Sequence, residues 1–459
     1  MMKKTNIVII GGGISGLALL HYLKKKYSGR TDIDIALLEK GVDVGGTIQS
    51  VRKGDCVFET GPNGFLSNKP RMFTLIEELD LSSRIVLAQE AANTRFISVH
   101  DRLYAVPKDP KSFLKFPLLN PFDKLRIFAE LFIPRGNSPS ESVYDFAWRR
   151  FGRKTADLFL DPMISGIYSG DAKKIILSSV FPKIYEMELN NGSILRSIKN
   201  LRSKGGPAKL HSFKGGMGDL IEALHSRYRT HIKLKETVTK ISHRQDRYVV
   251  STENQHYKAD ELYLCVPAFI CAELLSDIDK SMADDLAKIC YAPVAVVGIV
   301  APENVFKVKP AGFGYLVPSS EKKNILGVLF ESNIFPNRAA LGQILFRVMM
   351  GGVRHPEILK LSEQELIATA VNEIKTSCPT KGNSAITKID LSKVLTETFI
   401  TVWKNAIPQY DQTHLQVQRG LSTKLKRFRD LYLLGNYRYG VSLNDCIENA
   451  YTTAQKSSF

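Results

Sequence analysis

The sequence predicts an α/β protein that opens with a doubly wound β-α-β unit, and three observations near the N-terminus support this. An apolar strand at residues 6–10 runs directly into glycines spaced G-x-G-x-x-G, and an apolar helix follows. Glu39 closes a second apolar strand. This order predicts a dinucleotide site, because Gly11 permits a tight turn, Gly13 lets a pyrophosphate approach and Gly16 lets helix and strand pack closely.

The start of the following helix completes the predicted phosphate site. Backbone N–H groups at Ile14 and Ser15 belong to the first helical turn, where unpaired donors and the positive end of the helix dipole attract an anion. Glu39, followed by Lys40, ends the second strand. A carboxylate there accepts hydrogen bonds from a ribose and repels a 2′-phosphate. We therefore expect these four residues to contact the nucleotide.

Further glycines favour a flavin over a nicotinamide as the bound nucleotide. Backbone at the Gly45-Gly46 pair can pass close to the same pyrophosphate, as in flavoproteins of this architecture. Near the C-terminus, an apolar strand at residues 431–436 ends in glycine and asparagine before a helix at residues 443–455. We expect both chain ends to meet at one cofactor, with the second helix end near its other phosphate or the flavin carbonyls.

Composition and charge exclude several classes of protein. The 459 residues are 44% hydrophobic and 24% charged, which is typical of a globular chain and not of a disordered or fibrous one. The net charge of +17 suits polyanions, anionic lipids or carboxylate substrates, yet the basic residues are scattered and no nucleic-acid-binding motif occurs. The cysteines lack a C-x-x-C pair and the histidines lack metal-ligand spacing. We therefore expect reduced thiols, no metal site and no nucleic-acid partner.

Two further features of the chain predict where it is found. The first strand begins directly after Met1-Met2-Lys3-Lys4, which leaves no room for a cleavable leader. No apolar run reaches the roughly eighteen residues that a membrane-spanning helix needs. We therefore expect a cytoplasmic protein whose contact with a membrane, if it has one, is peripheral.

The order of predicted elements divides the chain into three interleaved units. Strands are predicted at residues 232–242, 248–251, 294–300, 325–330 and 345–350, and helices at 69–79 and 363–374. From these elements we expect a nucleotide-binding unit, a sheet-based substrate unit and an inserted helical unit. Their predicted boundaries are 1–84, 205–277 and 424–459 for the first, 85–110 and 278–423 for the second, and 111–204 for the third.

The predicted helical unit mixes apolar and basic residues. Its clearest amphipathic stretch spans residues 122–132. The apolar residues are Phe113, Phe116, Leu118, Leu119, Phe122, Phe128 and Phe132, and the basic ones are Lys108, Lys111, Lys115, Lys124, Arg126 and Arg135. Such a mixture suits either an interfacial surface on an anionic bilayer or the core of the unit itself. Both interpretations stay open at the level of sequence.

Several longer motifs accompany the nucleotide fingerprint. They are E-T-G-P-N-G-F-L from Glu59, S-G-I-Y-S-G-D from Ser165, F-P-N-R-A from Phe335, G-G at 351–352, W-K-N-A-I-P-Q-Y from Trp403, G-N-Y from Gly435, G-V from Gly440 and D-C-I from Asp445. Together these motifs span almost the whole chain. In their sequence and order they resemble the oxygen-dependent porphyrinogen oxidases of haem synthesis, within the flavin amine-oxidase superfamily. One departure is Thr47, where relatives usually carry Arg or Lys. The resemblance therefore implies that FAD is held less tightly here.

The resemblance implies a specific fold and reaction. The fold is a discontinuous Rossmann-like FAD-binding domain of the GR2/amine-oxidase type, with a sheet-based substrate domain and an inserted helical membrane-associated subdomain. Hydrogens pass from a porphyrinogen to the flavin in two-electron steps, and dioxygen reoxidises the flavin with release of hydrogen peroxide. The implied partners are the porphyrinogen, dioxygen, an anionic surface on the inner face of the cytoplasmic membrane and ferrochelatase. The implied assembly is a monomer or a homodimer.

The resemblance also implies roles for individual residues, none of them catalytic. The implied substrate contacts are Arg95, Gly166, Gly170, Leu316 and Phe330. The arginine would hold a propionate, the glycines would let the backbone approach the macrocycle, and the apolar residues, with Tyr315 and Val317, would wall the cavity. The predicted cofactor contacts are Gly11, Gly13, Ile14, Ser15, Gly16, Glu39, Lys40, Gly45, Gly46, Thr47, Gly61, Pro62, Asn63, Val238, Trp403, Gly435, Asn436 and Val441. The same residues could equally be a surface arginine, glycines of a turn and core residues of a strand, because the sequence alone does not distinguish these interpretations.

Three other functions fit parts of the sequence. Coproporphyrinogen III, a tetracarboxylate, suits the net charge, whereas Arg95 and the apolar and basic helical unit favour protoporphyrinogen IX. An amine oxidase or carotenoid desaturase would leave the later motifs unexplained. An escort protein for lipidated small GTPases shares the fold without being an enzyme, and flavin bound to the purified protein would count against it.

Overall fold

The computed structural model describes residues 4–201, 208–244, 247–378 and 390–459. Their strands are β1 (Thr5–Ile10), β2 (Ile33–Leu38), β3 (Ser50–Lys53), β4 (Cys56–Glu59), β5 (Phe65–Leu66), β6 (Ile85–Leu87), β7 (Arg95–Val99), β8 (Arg102–Ala105), β9 (Leu210–Phe213), β10 (Ile232–Lys233), β11 (Val238–Arg244), β12 (Arg247–Thr252), β13 (His256–Ala259), β14 (Glu261–Leu264), β15 (Tyr291–Pro302), β16 (Gly314–Leu316), β17 (Ile325–Phe330), β18 (Gln343–Gly351), β19 (Glu397–Pro408) and β20 (Leu431–Leu433).

Their helices are α1 (Ile14–Lys26), α2 (Pro70–Glu78), α3 (Pro110–Lys115), α4 (Pro121–Phe128), α5 (Val143–Phe151), α6 (Arg153–Thr155), α7 (Asp161–Tyr168), α8 (Leu177–Val180), α9 (Pro182–Asn191), α10 (Ile194–Leu201), α11 (Gly218–Tyr228), α12 (Ala268–Leu275), α13 (Lys280–Ala287), α14 (Glu331–Ile334), α15 (Glu363–Ser377), α16 (Gln412–Lys424) and α17 (Leu443–Lys456). None of the helices formed by the described residues combines the length and the apolar character that crossing a membrane requires.

A parallel sheet assembled from distant parts of the chain forms one half of the fold. Among the described residues its strand order is β10-β2-β1-β14-β20, and β1 pairs in parallel with both β2 and β14. One face packs against α1, α11 and α17, and the other packs against α12, α13 and α16. The first and last parts of the chain therefore meet in one doubly wound layer, and the predicted α/β class is confirmed.

Three predicted elements differ from the structure. The strand predicted at residues 232–242 is wrong as one element, because Lys235 adopts a left-handed conformation with φ of 57° and separates β10 from β11. An L-residue in that conformation cannot continue a strand. The strand predicted at 431–436 is shorter and ends with β20. Within residues 122–132, α4 gives way to a turn of 3₁₀ helix.

A larger mixed sheet forms the other half of the fold. Its described strands follow the order β19-β15-β18-β17-β16-β7-β8, and only the β16–β7 pair of these is parallel. The strands predicted at 294–300, 325–330 and 345–350 are confirmed within β15, β17 and β18, and the helix predicted at 363–374 is confirmed within α15. Side chains alternate between the two faces. One face packs on α15, and the other meets α7 and the β3–β4 hairpin.

Helices α3 to α10 lie between β8 and β9 in the chain and enclose a buried ionic cluster. Arg150 is fully buried. Its Nη1 lies 3.2 Å from Glu130 Oε1, and its Nη2 lies 2.5 Å from Glu188 Oε1. Opposite charges and hydrogen bonds offset the cost of removing these groups from water. The helical segment therefore has an interior of its own.

The apolar residues of this helical segment are divided between interior and surface. Phe116 and Leu119 are buried in a cluster that the helical segment shares with β7, so they belong to the interior and not to an interfacial surface. Phe122 and Phe132 are 81% and 83% exposed. Two aromatic rings this exposed on one segment are unusual in a globular protein.

Candidate active site

The loop between β1 and α1 forms an open cradle at the edge of the parallel sheet. Gly11 has φ of 106°, and a Cβ atom there would lie 2.8 Å from the carbonyl oxygen of Cys265. A Cβ atom on Gly16 would overlap the carbonyl oxygen of Gly11. One on Gly13 would meet no described atom within 4 Å. Packing therefore requires the outer two glycines, and Gly13 leaves free space in front of the helix.

The N-terminus of α1 opens into this space. Gly13 occupies the cap position, and within the described residues no side chain hydrogen-bonds to the cap. Ile14 and Ser15 begin the helix, and its first turn carries no acidic residue. Unpaired N–H groups and the positive end of the helix dipole make this terminus suitable for an anion. The open space and the free donors fit the pyrophosphate of a dinucleotide.

Glu39 anchors the loops that border the cradle. Its Oε2 accepts a hydrogen bond from the Gly12 N–H at 2.7 Å, and its Oε1 accepts one from the Gly41 N–H at 2.8 Å. The backbone oxygen of Glu39 accepts a hydrogen bond from a backbone N–H in the turn that leads to Val238 at the start of β11. Lys40 is exposed beside it. Because each carboxylate oxygen can accept a second hydrogen bond, Glu39 can still receive a ribose hydroxyl.

The second glycine pair packs directly against the first glycine loop. The Gly45 N–H donates to the carbonyl oxygen of Gly12 at 2.8 Å, and Gly45 forms a strand-like bridge with Gly13. Gly45 and Gly46 have φ of 110° and 59°, a region that favours glycine. Thr47 follows in an exposed position and brings no positive charge to the cradle. The two glycine motifs thus line one site.

A loop at residues 60–63 crosses from this cradle to the mixed sheet. Gly61 approaches Thr47 so closely that a Cβ atom would overlap the Thr47 carbonyl oxygen. The indole N–H of Trp403, from β19, donates to the carbonyl oxygen of Thr60 at 2.8 Å. Pro62 and Asn63, the last two residues of the loop, are half-buried. The loop therefore joins the predicted cofactor site to the sheet that carries the predicted substrate residues.

The segment after β20 adjoins the cradle, since β14 lies between β1 and β20. Gly435 has φ of 146°. The Tyr410 hydroxyl donates to the carbonyl oxygen of Asn436 at 2.7 Å and accepts from the Gly440 N–H at 2.9 Å. Val441 follows, half-buried. Burial raises the pKa of Tyr410 well above its usual range, so its hydroxyl stays protonated and holds this segment in place.

The start of α17 differs from the open end of α1. Ser442 caps it by accepting from the Asp445 N–H at 3.1 Å, and Asp445 accepts in return from the Ser442 N–H at 3.2 Å. Asp445 also pairs with Lys69. A second phosphate would meet the Asp445 carboxylate, so this part of the prediction is disfavoured by charge. The neutral flavin carbonyls remain the ligand expected there.

Arg95 starts β7 on the sheet face that also carries Trp403. Its guanidinium carbon lies 4.8 Å from the centre of the Phe313 ring. Arg95 is exposed to solvent, and desolvation by neighbouring protein atoms lowers its pKa. Among the described residues no carboxylate forms an ion pair with it. An arginine with an aromatic neighbour and no acidic partner is available to bind a ligand carboxylate.

The structure brings Gly166 and Leu316 together. Gly166 lies in α7, and a Cβ atom there would lie 2.8 Å from Leu316 Cδ2. Leu316 is the second residue after Gly314, which pairs with Arg95 across β16 and β7. These predicted substrate residues therefore share one face of the mixed sheet. Gly170 instead packs against Gln409, whose Oε1 would lie 2.6 Å from an added Cβ atom.

Phe330 does not lie with Leu316. It is buried with Tyr315 and Val317 in the cluster between the mixed sheet and α15. The Tyr315 hydroxyl donates to the carbonyl oxygen of Glu373 in α15 at 3.4 Å. Alternate residues of a strand point to opposite faces, so Tyr315 and Leu316 cannot line the same cavity. The placement of Phe330, Tyr315 and Val317 on the cavity wall is corrected accordingly.

Two buried charged residues near the loop at 60–63 were not predicted. Arg347 is 7% exposed in the middle of β18, and Glu331 is 3% exposed at the start of α14. The signal was present in the sequence, because an arginine is flanked by Phe346 and Val348 in an otherwise apolar strand. A charge is buried in such a strand only where it finds a partner.

Comparison with known proteins agrees with this geometry. The model of the flavin-containing amine oxidoreductase family matches residues 14–456. Protoporphyrinogen oxidase of Bos taurus is 30% identical over 98% of this chain and 98% of its own, and coproporphyrinogen III oxidase of Bacillus subtilis is 26% identical over 97% and 96%. A crystal structure from Exiguobacterium sp. 255-15, provisionally named a protoporphyrinogen oxidase, superposes with a TM-score of 0.82 at 22% identity and 99% coverage of both chains. The chain belongs to the flavin-containing amine oxidoreductase family.

Proposed function

We propose that this protein oxidises protoporphyrinogen IX to protoporphyrin IX, with FAD as its cofactor and dioxygen as the electron acceptor. The main support is the similarity to porphyrinogen oxidases, which extends over nearly the whole chain. Arg95 supports it independently, because this arginine has no acidic partner among the described residues and lies on the sheet face that carries Leu316. A macrocycle with carboxylate side chains needs both a cation and an apolar wall.

The cradle would hold FAD through its own backbone. The N-terminus of α1 would bind the pyrophosphate, with Gly13 leaving room for it, and Glu39 would accept the ribose hydroxyls. The loop at residues 60–63 and the segment at Gly435 and Asn436 would border the flavin. When bound, FAD supplies the two-electron acceptor, and dioxygen restores it. In this proposal the parallel-sheet unit binds FAD and the mixed-sheet unit binds the substrate.

The substrate residues would act by positioning. Arg95 would orient the porphyrinogen through a propionate, and Leu316, which packs closely on Gly166, would support one face of the ring. The apolar surroundings would exclude water from the reacting carbon. These residues act on orientation, so the reaction requires no covalent nucleophile from the protein.

A surface of the helical segment would contact an anionic membrane. The exposed apolar side chains of α3, α4 and the following turn are Leu114, Phe122, Leu125, Phe128 and Phe132. Lysines interleave with them, at Lys111, Lys115 and Lys124. Apolar side chains that can enter a bilayer, surrounded by positive charge, are typical of a peripheral membrane surface. The protein would then act on the inner face of the cytoplasmic membrane and could pass its product to ferrochelatase.

Coproporphyrinogen III is the second candidate substrate. The Bacillus subtilis relative carries that activity in its name and covers the chain almost as fully as the Bos taurus protein does. A tetracarboxylate would require further cations beyond Arg95, and the net charge of +17 could supply them.

The experiment is a comparison of the two substrates with the purified holoprotein. Each porphyrinogen is prepared anaerobically and mixed with the protein, and porphyrin fluorescence is followed after oxygen is admitted. We expect protoporphyrin to form faster than coproporphyrin. A faster reaction with coproporphyrinogen III would assign the second substrate, and no enzyme-dependent fluorescence with either would overturn the proposed oxidation. Extraction of the bound flavin and chromatography against FAD and FMN identify the cofactor.

A further inference from the structure

Arg347 and Glu331 form a buried ion pair beside the loop at residues 60–63. Arg347 Nη1 lies 3.5 Å from Glu331 Oε1. Both side chains are almost fully buried, on the sheet face that also carries Trp403. Removing a guanidinium and a carboxylate from water costs several kcal/mol each, which the pairing offsets only in part. Stability alone therefore gives a weak reason for the pair.

The hydrogen bonds of the pair are directed at two residues of the loop. Arg347 Nη2 donates to the carbonyl oxygen of Gly61. Glu331 Oε1 accepts from Asn63 Nδ2 at 3.2 Å. The pair thus holds the loop at both ends of the peptide Gly61-Pro62-Asn63, while Trp403 holds the carbonyl group of the preceding residue.

The contact with Glu331 also fixes the orientation of the Asn63 amide. An ionised carboxylate only accepts hydrogen bonds, so the amide must turn its NH₂ group toward Glu331. The side-chain amide oxygen of Asn63 (Oδ1) then points away from the pair and is available to accept a hydrogen bond. A neutral glutamine in place of Glu331 could face either end of the amide and would remove this selection.

The surroundings leave little room for water beside these bonds. A second buried pair, Arg338 with Glu59, lies next to the loop, with Nη2 and Oε1 3.2 Å apart. Between the two pairs is a cavity of about 10 Å³, bordered by Glu59, Glu331, Arg347 and aromatic rings. Such a cavity holds about one water molecule. Loss of either member of the Arg347–Glu331 pair therefore leaves a buried charge with at most about one water molecule in place of its partner.

We propose that Arg347 and Glu331 are positioning residues that hold Gly61 and Asn63 against the flavin. The inference rests on the proposed flavin enzyme, because the loop joins the glycine cradle to the face that carries Arg95 and Leu316. Their role is to keep the backbone oxygen of Gly61 hydrogen-bonded to Arg347. They also direct the side-chain amide oxygen of Asn63 toward the cofactor. Neither residue is assigned a contact with the substrate.

The test compares Glu331→Gln, Arg347→Met and the double variant with the wild-type protein. We expect each single variant to weaken FAD binding about tenfold, as the loss of a hydrogen bond to a charged group does. We expect the visible absorption band of the bound flavin to shift, because its polar neighbours change. The double variant should bind FAD no more weakly than Arg347→Met, since the two residues act through one loop. With porphyrinogen, kcat should fall more than tenfold while KM stays within about twofold.

The matched control is Glu373→Gln in α15. Glu373 forms a half-buried ion pair with Lys323, 3.0 Å from Nζ to Oε2, on the opposite side of the same sheet. This variant removes a similar charge without touching the loop at 60–63. Its flavin spectrum, FAD affinity and kcat should equal those of the wild-type protein. Arg347→Lys keeps the charge and serves where Arg347→Met does not fold, and it should show an intermediate shift because lysine lacks the guanidinium fork.

The outcomes separate this inference from the proposed function. Folded variants of Arg347 and Glu331 with an unchanged flavin spectrum, FAD affinity and kcat overturn the positioning role. A change of the same size in Glu373→Gln also overturns it, because the effect would then follow from general loss of an ion pair. A wild-type protein that binds FAD but oxidises neither porphyrinogen overturns the proposed reaction and leaves the spectral comparison valid. A wild-type protein that binds no flavin overturns both.

Discussion

The carbonyl oxygen of Gly11 lies directly against the Cα atom of Gly16, so that a Cβ atom on Gly16 would overlap it. Gly13, between them in sequence, faces open space. The three glycines of one motif therefore serve different purposes. The outer two let the strand, turn and helix pack, and the middle one leaves room for a ligand.

This difference predicts opposite behaviour for two alanine variants. Gly16→Ala should destabilise the protein by about 1–3 kcal/mol, because backbone must move to admit the methyl group. Gly13→Ala should leave stability unchanged within about 0.5 kcal/mol, since φ at Gly13 is −73° and the added atom meets nothing. It should nevertheless weaken FAD binding by more than tenfold, because the methyl group takes the place of the pyrophosphate. Urea unfolding of the apoprotein and FAD titration measure the two effects. Equal FAD affinity of Gly13→Ala and wild type would place the pyrophosphate elsewhere.

Arg95→Ala should raise KM for protoporphyrinogen IX. The guanidinium is close to Phe313 and has no ion-pair partner among the described residues, so the main loss is its charge-assisted bond to a substrate carboxylate. A loss of about 1.5–3 kcal/mol corresponds to a KM increase of roughly tenfold to a hundredfold. Arg52→Ala, on the exposed β3 strand, is the control. Identical KM values for the two variants would remove Arg95 from the substrate site.

Gly166→Ala should lower kcat/KM for the porphyrinogen through its contact with Leu316. The new methyl group would lie 2.8 Å from Leu316 Cδ2 and push the leucine side chain out of place. We expect a decrease of about tenfold. In the double variant with Leu316→Ala the clash is absent, so part of the activity should return relative to Gly166→Ala alone. Strictly additive losses would show that the two residues act independently.

His414 should make the protein less stable in acid. Burial lowers the pKa of His414 to about 4, and its Nε2 N–H donates to the carbonyl oxygen of Tyr437 at 2.7 Å. Below pH 6.5 this histidine is protonated in the unfolded chain, whereas in the folded protein it stays neutral until about pH 4. The free energy of unfolding therefore falls as the pH drops from 6.5 to 4. At pH 5 the loss from this residue is about 2 kcal/mol relative to pH 7.

Urea unfolding at the two pH values measures this effect. His414→Gln keeps an N–H donor but cannot titrate, so its stability should change by about 2 kcal/mol less than that of the wild-type protein. His256→Gln, on the exposed β13 strand, is the control and should follow the wild-type protein. Equal pH dependence of His414→Gln and wild type would contradict the buried neutral imidazole.

The exposed rings of the helical segment predict binding to anionic vesicles. The side chains of Phe122 and Phe132 are largely exposed to solvent. Replacing both by serine should reduce co-sedimentation with vesicles that contain phosphatidylglycerol by about tenfold or more, because each ring contributes roughly 1.5–3 kcal/mol when buried in lipid. Leu341→Ser removes an equally exposed apolar side chain outside this segment and should have no effect. Binding that is weak for the wild-type protein, or unchanged in the double variant, would argue against a membrane surface there.

The sequence was most informative where structure is local. The order of β1, the glycines and α1 could be predicted because each step depends on neighbouring residues. The strands β15, β17 and β18 could be predicted from apolar runs of the right length. The break at Lys235 could not, because a lysine carries no signal for a left-handed conformation. The cap at Ser442 was readable as S-x-x-D, and it bears on the ligand expected at α17.

The site was less predictable because it depends on which face of a strand meets which layer. Tyr315 and Leu316 are neighbours in sequence and point to opposite sides of the mixed sheet. Periodicity gives the alternation, but only the position of α15 decides which side is the interior. Arg347 and Glu331 are 16 residues apart in sequence, and only the pairing of β17 with β18 brings them together. The apolar neighbours of Arg347 indicate a buried charge, but no local pattern identifies Glu331 as its partner.

The most direct test of the proposed oxidation is an anaerobic mixing experiment with the yellow holoprotein and protoporphyrinogen IX. Porphyrinogen gives up its electrons in several two-electron steps, and each flavin accepts two. We therefore expect the visible flavin absorbance to bleach without oxygen, and we expect admitted oxygen to restore the flavin colour while porphyrin absorbance rises over the further turnovers. A flavin that stays oxidised in the presence of excess protoporphyrinogen IX and of coproporphyrinogen III would contradict it.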